Sequence, residues 1–522
     1  MKLDKAIVRM WNKISVQCKA AFFGAVIIGL LDYLYTITNH FLTLDSMWNL
    51  YSSQDMISSG RQFLTYACSI SSYFDLPAVN GLLAILYLGI TAALVVYIYE
   101  IKSNVLSVIV GGLIVTFPAV SSTFCYTYTV DGYMLSLLLV TLAFVFAEKY
   151  RFGWIPAAVL IGISLGIYQA YYSFIIVLCI TKLLLYLVYE NKIRDILTKA
   201  LRYVLAGVTG YLLYVITLKL MLAIKNVALS GYQGSANVLG FELKTIPVNI
   251  YKATRNFFSF LKSMNVLTAT RTMRIALAVI MLLGFVGYLF VFIKNRVYKS
   301  VAKVLMILFL AAITPAAATL VMVMAPDSYF HVLMRMPWVL FFVFALCIAE
   351  RICEESEIDK KWILHGRQVL SGAIVICSAV MVFQFMVMQG IVAYNMNEKY
   401  EKTYGFCLRV IDRLEAQETY QYGDKVAIIG GVRDYNFYPP TSITDPYVGW
   451  YFGVNGELCV SSNEDFQAFC SHYLGFAYVQ ADKNEIEKIL NKPEYLEMDN
   501  FPKENSIGKI DDVWVINLMH SN

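Results

Sequence analysis

The sequence predicts an all-α polytopic membrane protein of about eleven transmembrane helices, followed by a small C-terminal extracytoplasmic α/β domain. Hydrophobic residues make up 58% of the 522 residues and charged residues only 15%, at a mean hydropathy of +0.60. A soluble domain is about 25% charged, so this chain has too few charges to cover a soluble surface. The apolar runs stop near residue 390, and the rest of the chain is polar.

Eleven apolar runs are candidate spans, because a helix needs about 20 mostly apolar residues to cross a bilayer. They lie at residues 20–38, 78–99, 104–122, 132–147, 153–168, 171–189, 203–223, 275–293, 304–324, 337–350 and 369–389. The chain is thus divided into an N-terminal segment 1–19, a membrane core 20–389 with long loops at 39–77 and 224–274, and a C-terminal domain 390–522.

The distribution of Lys and Arg predicts the orientation, because these residues concentrate in short cytoplasmic loops. The N-terminus and every second short connection together carry twenty of them, and the opposite short connections carry two. The long connection 224–274 is left out, since long loops cross the membrane largely regardless of charge. We therefore expect a multi-pass protein of the cell membrane, with a cytoplasmic N-terminus and an extracytoplasmic C-terminus.

The C-terminal domain has the pattern of a small α/β fold. Lys425 to Ile429 reads as a strand followed by a Gly-Gly turn, residues 484–490 as a short helix, and Val513 to Ile516 as a closing strand. The ten cysteines of the chain form no CxxC pair. Neither a zinc site nor a thioredoxin-like site is therefore predicted.

The loop 39–77 holds three carboxylates and one arginine, which are Asp45, Asp55, Asp75 and Arg61. A carboxylate at the membrane surface can take the proton of an attacking hydroxyl, and an arginine can hold a phosphate oxygen. We interpret Asp45 as the candidate base and Asp55, Arg61 and Asp75 as candidate substrate-binding residues, with Asp55 also a source of a second carboxylate. In the alternative interpretation Asp45 caps a helix and Arg61 pairs with a loop acid or a lipid headgroup.

Four further residues on the same predicted side are candidate substrate contacts. Asp131 precedes the fourth span, where it either binds substrate or caps the helix. Tyr168 and Gln169 separate two apolar runs, and Gln169 either binds a sugar or makes an interhelical hydrogen bond. Arg335 lies at the edge of the tenth span and is either functional or snorkelling. We interpret the neighbouring His331 as a surface histidine.

The long connection contains a predicted amphipathic helix at residues 247–262. Ile250, Tyr251, Phe257, Phe258 and Leu261 share one face, and the basic residues Lys252, Arg255 and Lys262 lie elsewhere. Such a helix lies in the membrane surface. Its basic residues either contact a lipid phosphate or anchor the helix to anionic headgroups.

Several site classes find no support in the chain. It contains no GxxxxGK[ST], GxGxxG or HExxH motif. The basic residues mark cytoplasmic loops, so nucleic acid is not a predicted partner. Three other interpretations remain open, which are a transporter or flippase of lipid-linked glycans, a glycan polymerase or ligase, and a scaffold protein.

In their order, the motifs resemble the type II O-antigen glucosyltransferase family of GT-C-type glycosyltransferases. They are Asp45, Gly60-Arg61, Asp75-Leu76-Pro77, Asp131 and Tyr168-Gln169-Ala170. The resemblance spans about residues 20–390. Members often have two adjacent acids where this chain has Asp45-Ser46.

The resemblance implies a membrane enzyme that moves a hexose, expected to be glucose, from a polyprenyl-phosphate sugar to a cell-envelope glycan on the outer face. It implies Asp45 as the general base, and direct displacement would invert the anomeric centre. No cofactor is implied with certainty, and a divalent cation is left open. The implied partners are membrane lipid, the donor, the acceptor glycan, a flippase and a glycosyltransferase that makes the donor.

Overall fold

The computed structural model describes residues 2–43, 45–190, 192–231, 243–325, 329–354, 361–430, 432, 445–451, 453, 454, 456 and 458–518. The chain forms two compact units. The first, the helical unit, comprises Met1–His40, Tyr51–Gly390 and Trp450–Phe452. The second, the mixed unit, comprises Phe41–Leu50, Ile391–Gly449 and Gly453–Asn522.

The helical unit is built from long apolar helices joined mostly by short connections. Its helices are α1 (Lys2–Lys13), α2 (Val16–Thr38), α3 (Leu64–Cys68), α4 (Pro77–Tyr99), α5 (Asn104–Thr116), α6 (Pro118–Phe124), α7 (Thr127–Lys149), α8 (Trp154–Ile167), α9 (Tyr172–Tyr189), α10 (Ile193–Lys225), α11 (Ile246–Lys262), α12 (Arg271–Lys294), α13 (Val301–Ala318), α14 (Leu320–Met324), α15 (Val339–Glu354) and α16 (Lys361–Glu415), whose residues from Ile391 onward belong to the mixed unit.

Within the described residues, nine helices are long and apolar enough to cross a membrane. A tenth span results if α5 and α6, which meet at a 43° bend, cross together. The bend follows from Pro118, which lacks the amide proton needed to continue α5. The polytopic all-α prediction is confirmed, while the count of eleven stays a prediction because α8 has only 14 residues. The predicted final span ended at residue 389, but α16 continues to Glu415.

Close contacts between small residues bring the helices of this unit together. The helix α2 packs against α4 and α5, and α7 packs against α4 and α8. At Gly111 of α5, a Cβ atom would lie 2.5 Å from the backbone oxygen of Ala21 in α2. Only glycine permits this approach, and small residues at such crossings are typical of membrane helices.

The mixed unit contains a four-stranded sheet in the order β2-β1-β4-β3. Its strands are β1 (Lys425–Ile429), β2 (Val479–Gln480), β3 (Ile507–Ile510) and β4 (Val513–Asn517), and its further helices are α17 (Asp445–Val448), α18 (Asn463–Phe469), α19 (Lys483–Leu490) and α20 (Pro493–Leu496). The central strand β1 runs parallel to β2 and β4, and β3 pairs with β4 in the antiparallel sense. The strand β1 coincides with the strand expected from the sequence.

The segment Phe41–Leu50 belongs to the mixed unit although it lies far from it in the chain. Its Leu42 and Met47 are buried in the same apolar cluster as Phe466 of α18. The Cys459 thiol also donates to the Leu42 carbonyl at 3.5 Å. The packing of these apolar side chains therefore determines where Asp45 lies.

Candidate functional site

The Gly60-Arg61 loop is held by the Tyr168-Gln169-Ala170 segment. The Gln169 amide donates to the carbonyl of Gly60 at 2.7 Å and to that of Ser59 at 3.2 Å. The Tyr214 hydroxyl of α10 donates to the Gly60 carbonyl at 3.1 Å. Gly60 has a φ of +77°, a conformation that favours glycine. Two motifs about 110 residues apart in sequence therefore meet in the structure. The Gln169 side-chain amide binds backbone carbonyls of the loop.

Arg61 rests on a platform of two tyrosines. Its guanidinium donates to the Tyr133 hydroxyl at 2.9 Å and lies 5.5 Å from the centre of the Tyr168 ring. The rings of Tyr133 and Tyr168 stack at 4.2 Å. These contacts with Tyr133 and Tyr168 orient the guanidinium. The sequence interpretation did not include Tyr133 or Tyr214, although a tyrosine within an apolar span was the available signal.

Asp131 lies inside α7 and does not cap it. The helix begins at Thr127, after Tyr126 at the N-cap position, so the capping interpretation is wrong. Asp131 is only 1% exposed. Its Oδ1 atom has no hydrogen-bond partner within the described chain. A buried carboxylate oxygen with unused acceptor capacity is suited to bind a hydroxyl group.

Asp75 ties the end of α2 to the start of α7. Its Oδ1 accepts from the Thr127 hydroxyl at 2.6 Å, and its Oδ2 lies 3.2 Å from Nε2 of His40. The carboxylate is fully buried, and both of its oxygens have protein partners. The arrangement therefore supports a role of Asp75 in holding the loop.

Asp55 lies at the protein surface. It pairs with Lys225, at the end of α10, across 3.5 Å, and both side chains are about half exposed. Exposed pairs of this kind contribute little to stability, about 0–1 kcal/mol. The negative charge that contributes to the raised pKa of Asp45 is that of Asp465 and not that of Asp55. The sequence interpretation did not consider Asp465.

Arg335 is buried in the middle of the 3-10 segment Val332–Trp338, which leads into α15. It is 5% exposed, and its guanidinium lies 3.7 Å from the centre of the Phe260 ring and 4.6 Å from that of Phe330. Its Nη2 donates to the Asn256 amide oxygen at 3.0 Å, and its Nη1 is unpartnered within the described residues. No described carboxylate forms an ion pair with it. Because a buried cation without an anion is costly, the site is suited to an anionic ligand.

The two arginine sites lie in neighbouring elements of the helical unit. The 3-10 segment Val332–Trp338, which carries Arg335, packs against Gln169–Tyr171. His331 directly precedes that segment and is buried, so its interpretation as a surface histidine is wrong. Burial lowers the pKa of His331 to about 4, so the ring is neutral at neutral pH. The adjacent Asp327 and Ser328 lie outside the described residues.

The predicted amphipathic helix is present as α11, with a different division of its faces. Phe257 lies on the buried face with Asn249, Ala253 and Phe260, and does not share the exposed apolar face. Of the exposed apolar residues, Ile250, Tyr251, Phe258 and Leu261 share one side of the helix. The basic residues Lys252, Arg255 and Lys262 are exposed, on a third side of the helix. The helix is thus anchored in the protein and still presents both an apolar and a basic face.

Asp45, in the mixed unit, immediately precedes a 3-10 turn formed by Ser46–Asn49. Asp45 is exposed, and its backbone carbonyl accepts from the side-chain amide of Asn49 at 2.8 Å. Partial loss of solvent and, to a smaller extent, the negative charge of Asp465 raise the pKa of Asp45. Both effects penalise the charged form, so the carboxylate is a better proton acceptor than an ordinary aspartate.

No group of three histidine, cysteine or acidic residues in the described part of the chain could hold a metal ion. The carboxylate of Asp465 already accepts four hydrogen bonds from protein donors. The arrangement of acids around Asp45 therefore gives no support to a metal-bridged site.

Comparison with known proteins adds a family. Neither the curated proteins nor the solved structures give a match to this chain. A family profile described as Glucosyl transferase GtrII matches residues 34–344, which is more than half of the chain. The matched region includes Asp45, the Gly60-Arg61 loop, Asp131, the Gln169 segment and Arg335. The chain therefore belongs to the GtrII glucosyl transferase family, a family of glycosyltransferases, and carries several membrane-spanning helices.

Proposed function

We propose that the protein transfers glucose from a polyprenyl-phosphate carrier to a cell-envelope glycan at the outer face of the cell membrane. Family membership supports the transferase activity and the glucosyl group. The observation that carries the choice of donor is Arg335, a buried guanidinium with an unused donor and no carboxylate partner among the described residues. A phosphate supplies the missing negative charge and matches the forked donors of an arginine.

The surroundings of Arg335 support a phosphate that carries a lipid. Phe260 and Phe330 flank the guanidinium, so the cation faces an apolar setting on two sides. The exposed apolar and basic faces of α11 supply groups that suit an isoprenoid chain and its headgroup. In this proposal Lys252, Arg255 and Lys262 attract the lipid phosphate, and Arg335, or alternatively Arg61, stabilises it during transfer.

Asp45 is the proposed base. Its carboxylate takes the proton of the acceptor hydroxyl, and the acceptor oxygen forms a bond to the anomeric carbon of glucose. The bond between that carbon and the phosphate oxygen breaks, and the electron pair leaves with the polyprenyl phosphate. Donors that bind the leaving phosphate stabilise the charge that develops on it. One direct displacement inverts the anomeric configuration.

The other candidate residues receive different roles. The unused oxygen of Asp131 is a proposed acceptor for a hydroxyl of the sugar. Asp75 and Gln169 are proposed to position the loop that carries Arg61, because their polar atoms bind protein groups. Asp55 is assigned to the surface pair with Lys225 and receives no role in transfer.

The excess of basic residues on one side of the spans supports the proposed location. The twenty Lys and Arg of the N-terminus and alternate short connections indicate a cytoplasmic N-terminus. This orientation places the loop 39–77 and the polar domain 390–522 outside the cell. A lipid-linked donor is consistent with that side, where no nucleotide sugar is required.

The test is glucose transfer from radiolabelled polyprenyl-phosphate glucose to envelope glycan in proteoliposomes. We expect Asp45→Asn to lower kcat by about 10²- to 10⁴-fold and Arg335→Gln by about 10²-fold. Arg271→Gln, which removes an exposed arginine at the start of α12, should leave transfer unchanged. Normal transfer by Asp45→Asn would reject the base. Donor movement across the vesicle without glycan labelling would indicate a flippase instead.

A further inference from the structure

The turn that carries Asp45 is held by internal hydrogen bonds and by buried apolar side chains. Thr43 and Ser46 are fully buried, and their hydroxyl oxygens are 2.8 Å apart. The Ser46 hydroxyl also accepts from the Thr43 amide at 3.1 Å. Leu42 and Met47 on either side of the turn are buried in the apolar cluster. Asp45, which is exposed, is therefore carried by a turn in which Thr43, Ser46 and Met47 are buried.

Trp48 links this turn to α18 by a directional contact. Its indole Nε1 donates to Oδ1 of Asp465 at 2.9 Å, although the two residues are 417 positions apart in sequence. The Trp48 ring itself is 57% exposed. Apolar burial therefore accounts for only part of its placement, and the hydrogen bond to Asp465 orients the side chain.

Asp465 is itself held in one orientation. Its Oδ2 accepts from the Ser461 hydroxyl and from the amides of Ser461 and Ser462, all within 3.1 Å. The Ser462 hydroxyl accepts from the Asp465 amide, which completes a capping box at the start of α18. These donors outweigh the effect of burial, so the pKa of Asp465 is lowered and the group stays ionised.

The charge of Asp465 acts on Asp45. Among the described titratable groups it is the one whose charge contributes to the raised pKa of Asp45. The contacts of the Asp465 carboxylate come from the neutral side chains of Trp48 and Ser461 and from backbone amides. A fixed negative charge beside a carboxylate makes that carboxylate harder to ionise.

We propose that Asp465 is a positioning residue for Asp45, which orients the catalytic turn through Trp48 and supplies a fixed negative neighbour. The proposal rests on the assignment of Asp45 as the base. It gives a role in transfer to a part of the chain beyond the family match, which ends at residue 344. The mixed unit then contributes to the reaction itself.

The experiment uses the full-length protein in proteoliposomes with radiolabelled polyprenyl-phosphate glucose and envelope glycan. Trp48→Phe removes one donor and leaves the capping box intact. We expect kcat to fall about 10- to 100-fold because the base is misplaced, with KM for the donor unchanged. Asp465→Asn should also move the acidic limb of the pH profile of kcat to lower pH. The like charge that raises the pKa of Asp45 is lost in this variant, so the base stays deprotonated at lower pH.

Matched controls separate this effect from loss of folding. Asp424→Asn alters a second Trp–Asp hydrogen bond of the mixed unit, from Trp514 at 3.0 Å, and Glu485→Gln alters the capping box of α19. Both controls should keep wild-type kcat and an unshifted acidic limb. Wild-type kcat in Trp48→Phe, or an unshifted limb in an active Asp465→Asn protein, would overturn the proposal.

The outcomes also distinguish this inference from the proposed function. Activity in Asp45→Asn would reject the base, and with it the basis of the inference. Loss of activity in Asp45→Asn, combined with normal kcat and an unshifted limb in both the Trp48 and Asp465 variants, would retain the base and reject the role of Asp465.

Discussion

At the scale of single residues, Gly60 shows why a short motif is informative. Its left-handed backbone turns the carbonyl toward Gln169 and Tyr214. A Cβ atom at this position would lie 2.7 Å from the Tyr214 oxygen and 2.8 Å from the Gln169 nitrogen. The glycine is therefore required both by its backbone conformation and by the close approach of two side chains. The following Arg61 depends on this geometry.

We predict that Gly60→Ala lowers both thermal stability and glucose transfer. The added methyl group must displace Gln169 or Tyr214. The alanine must also keep the left-handed backbone conformation, which costs about 1–2 kcal/mol by itself. Gly423→Ala is the matched control, since Gly423 has a φ of +95° and nothing within 4 Å of its Cβ position. Melting temperature and kcat of both variants provide the measurement. Equal effects at the two positions would contradict the role of the side-chain contacts.

His331 predicts a pH dependence of stability. The pKa of histidine is about 6.5 in an unfolded chain, and burial lowers the pKa of His331 to about 4 in the folded protein. Between these values the unfolded state binds a proton that the folded state does not. Stability is therefore fully present above pH 6.5 and falls as the pH drops toward 4. The difference between the two pKa values corresponds to about 3 kcal/mol in the free energy of unfolding.

The measurement is the melting temperature of the detergent-solubilised protein between pH 7 and 4.5. We expect His331→Asn to show a smaller decrease across this range than the wild type. His365→Asn, which replaces an exposed histidine of α16, should retain the wild-type slope. A wild-type slope in the His331 variant would show that another group controls the effect.

At the scale of elements, the contact between α2 and α5 depends on Gly111. We predict that Gly111→Ala destabilises the protein by about 1–3 kcal/mol, as expected for overpacking, because the new Cβ would lie 2.5 Å from the Ala21 oxygen. Gly366→Ala in α16 has nothing within 4 Å of the new atom and should be neutral or slightly stabilising. Thermal unfolding compares the two. An unchanged melting temperature for Gly111→Ala would mean that the helices separate at little cost.

The helices also show where apolar runs and spans differ. The run at 104–122 is one candidate span in sequence but two helices in the structure, because Pro118 ends the hydrogen bonding of α5. The runs flanking Gln169 were interpreted as two spans, and the structure has a break there between α8 and α9. A proline or a half-buried glutamine can thus mark a break in a helix without changing the average hydropathy of the run.

At the scale of the whole molecule, the orientation is open to a direct test. We predict that alkaline phosphatase fused after Asn522 is active and that the same enzyme fused before Met1 is inactive, because it folds only outside the cytoplasm. The expectation follows from the basic residues of the N-terminus and alternate short connections. An active N-terminal and inactive C-terminal fusion would place the loop 39–77 in the cytoplasm. That result would exclude the proposed site of transfer.

Much of the helical architecture was predictable, since lipid requires backbone groups to be paired within a helix. Long apolar runs therefore identified the membrane segments, and the polar composition after residue 390 marked a change in the chain. The motifs around Asp45, Arg61 and Gln169 were sufficient to indicate the family. Side-chain pairing was less accessible, and the capping interpretation of Asp131 failed because α7 begins at Thr127.

By itself, the sequence determined that this protein is a polytopic helical membrane protein and, through its motifs, that it resembles a glucosyltransferase. Both properties follow from composition and from short, local patterns. Only the tertiary structure decided that Gln169 holds Gly60, that Arg335 lies beside two phenylalanines, and that Trp48 donates to Asp465. These contacts join residues far apart in the chain, and packing rather than local propensity brings them together.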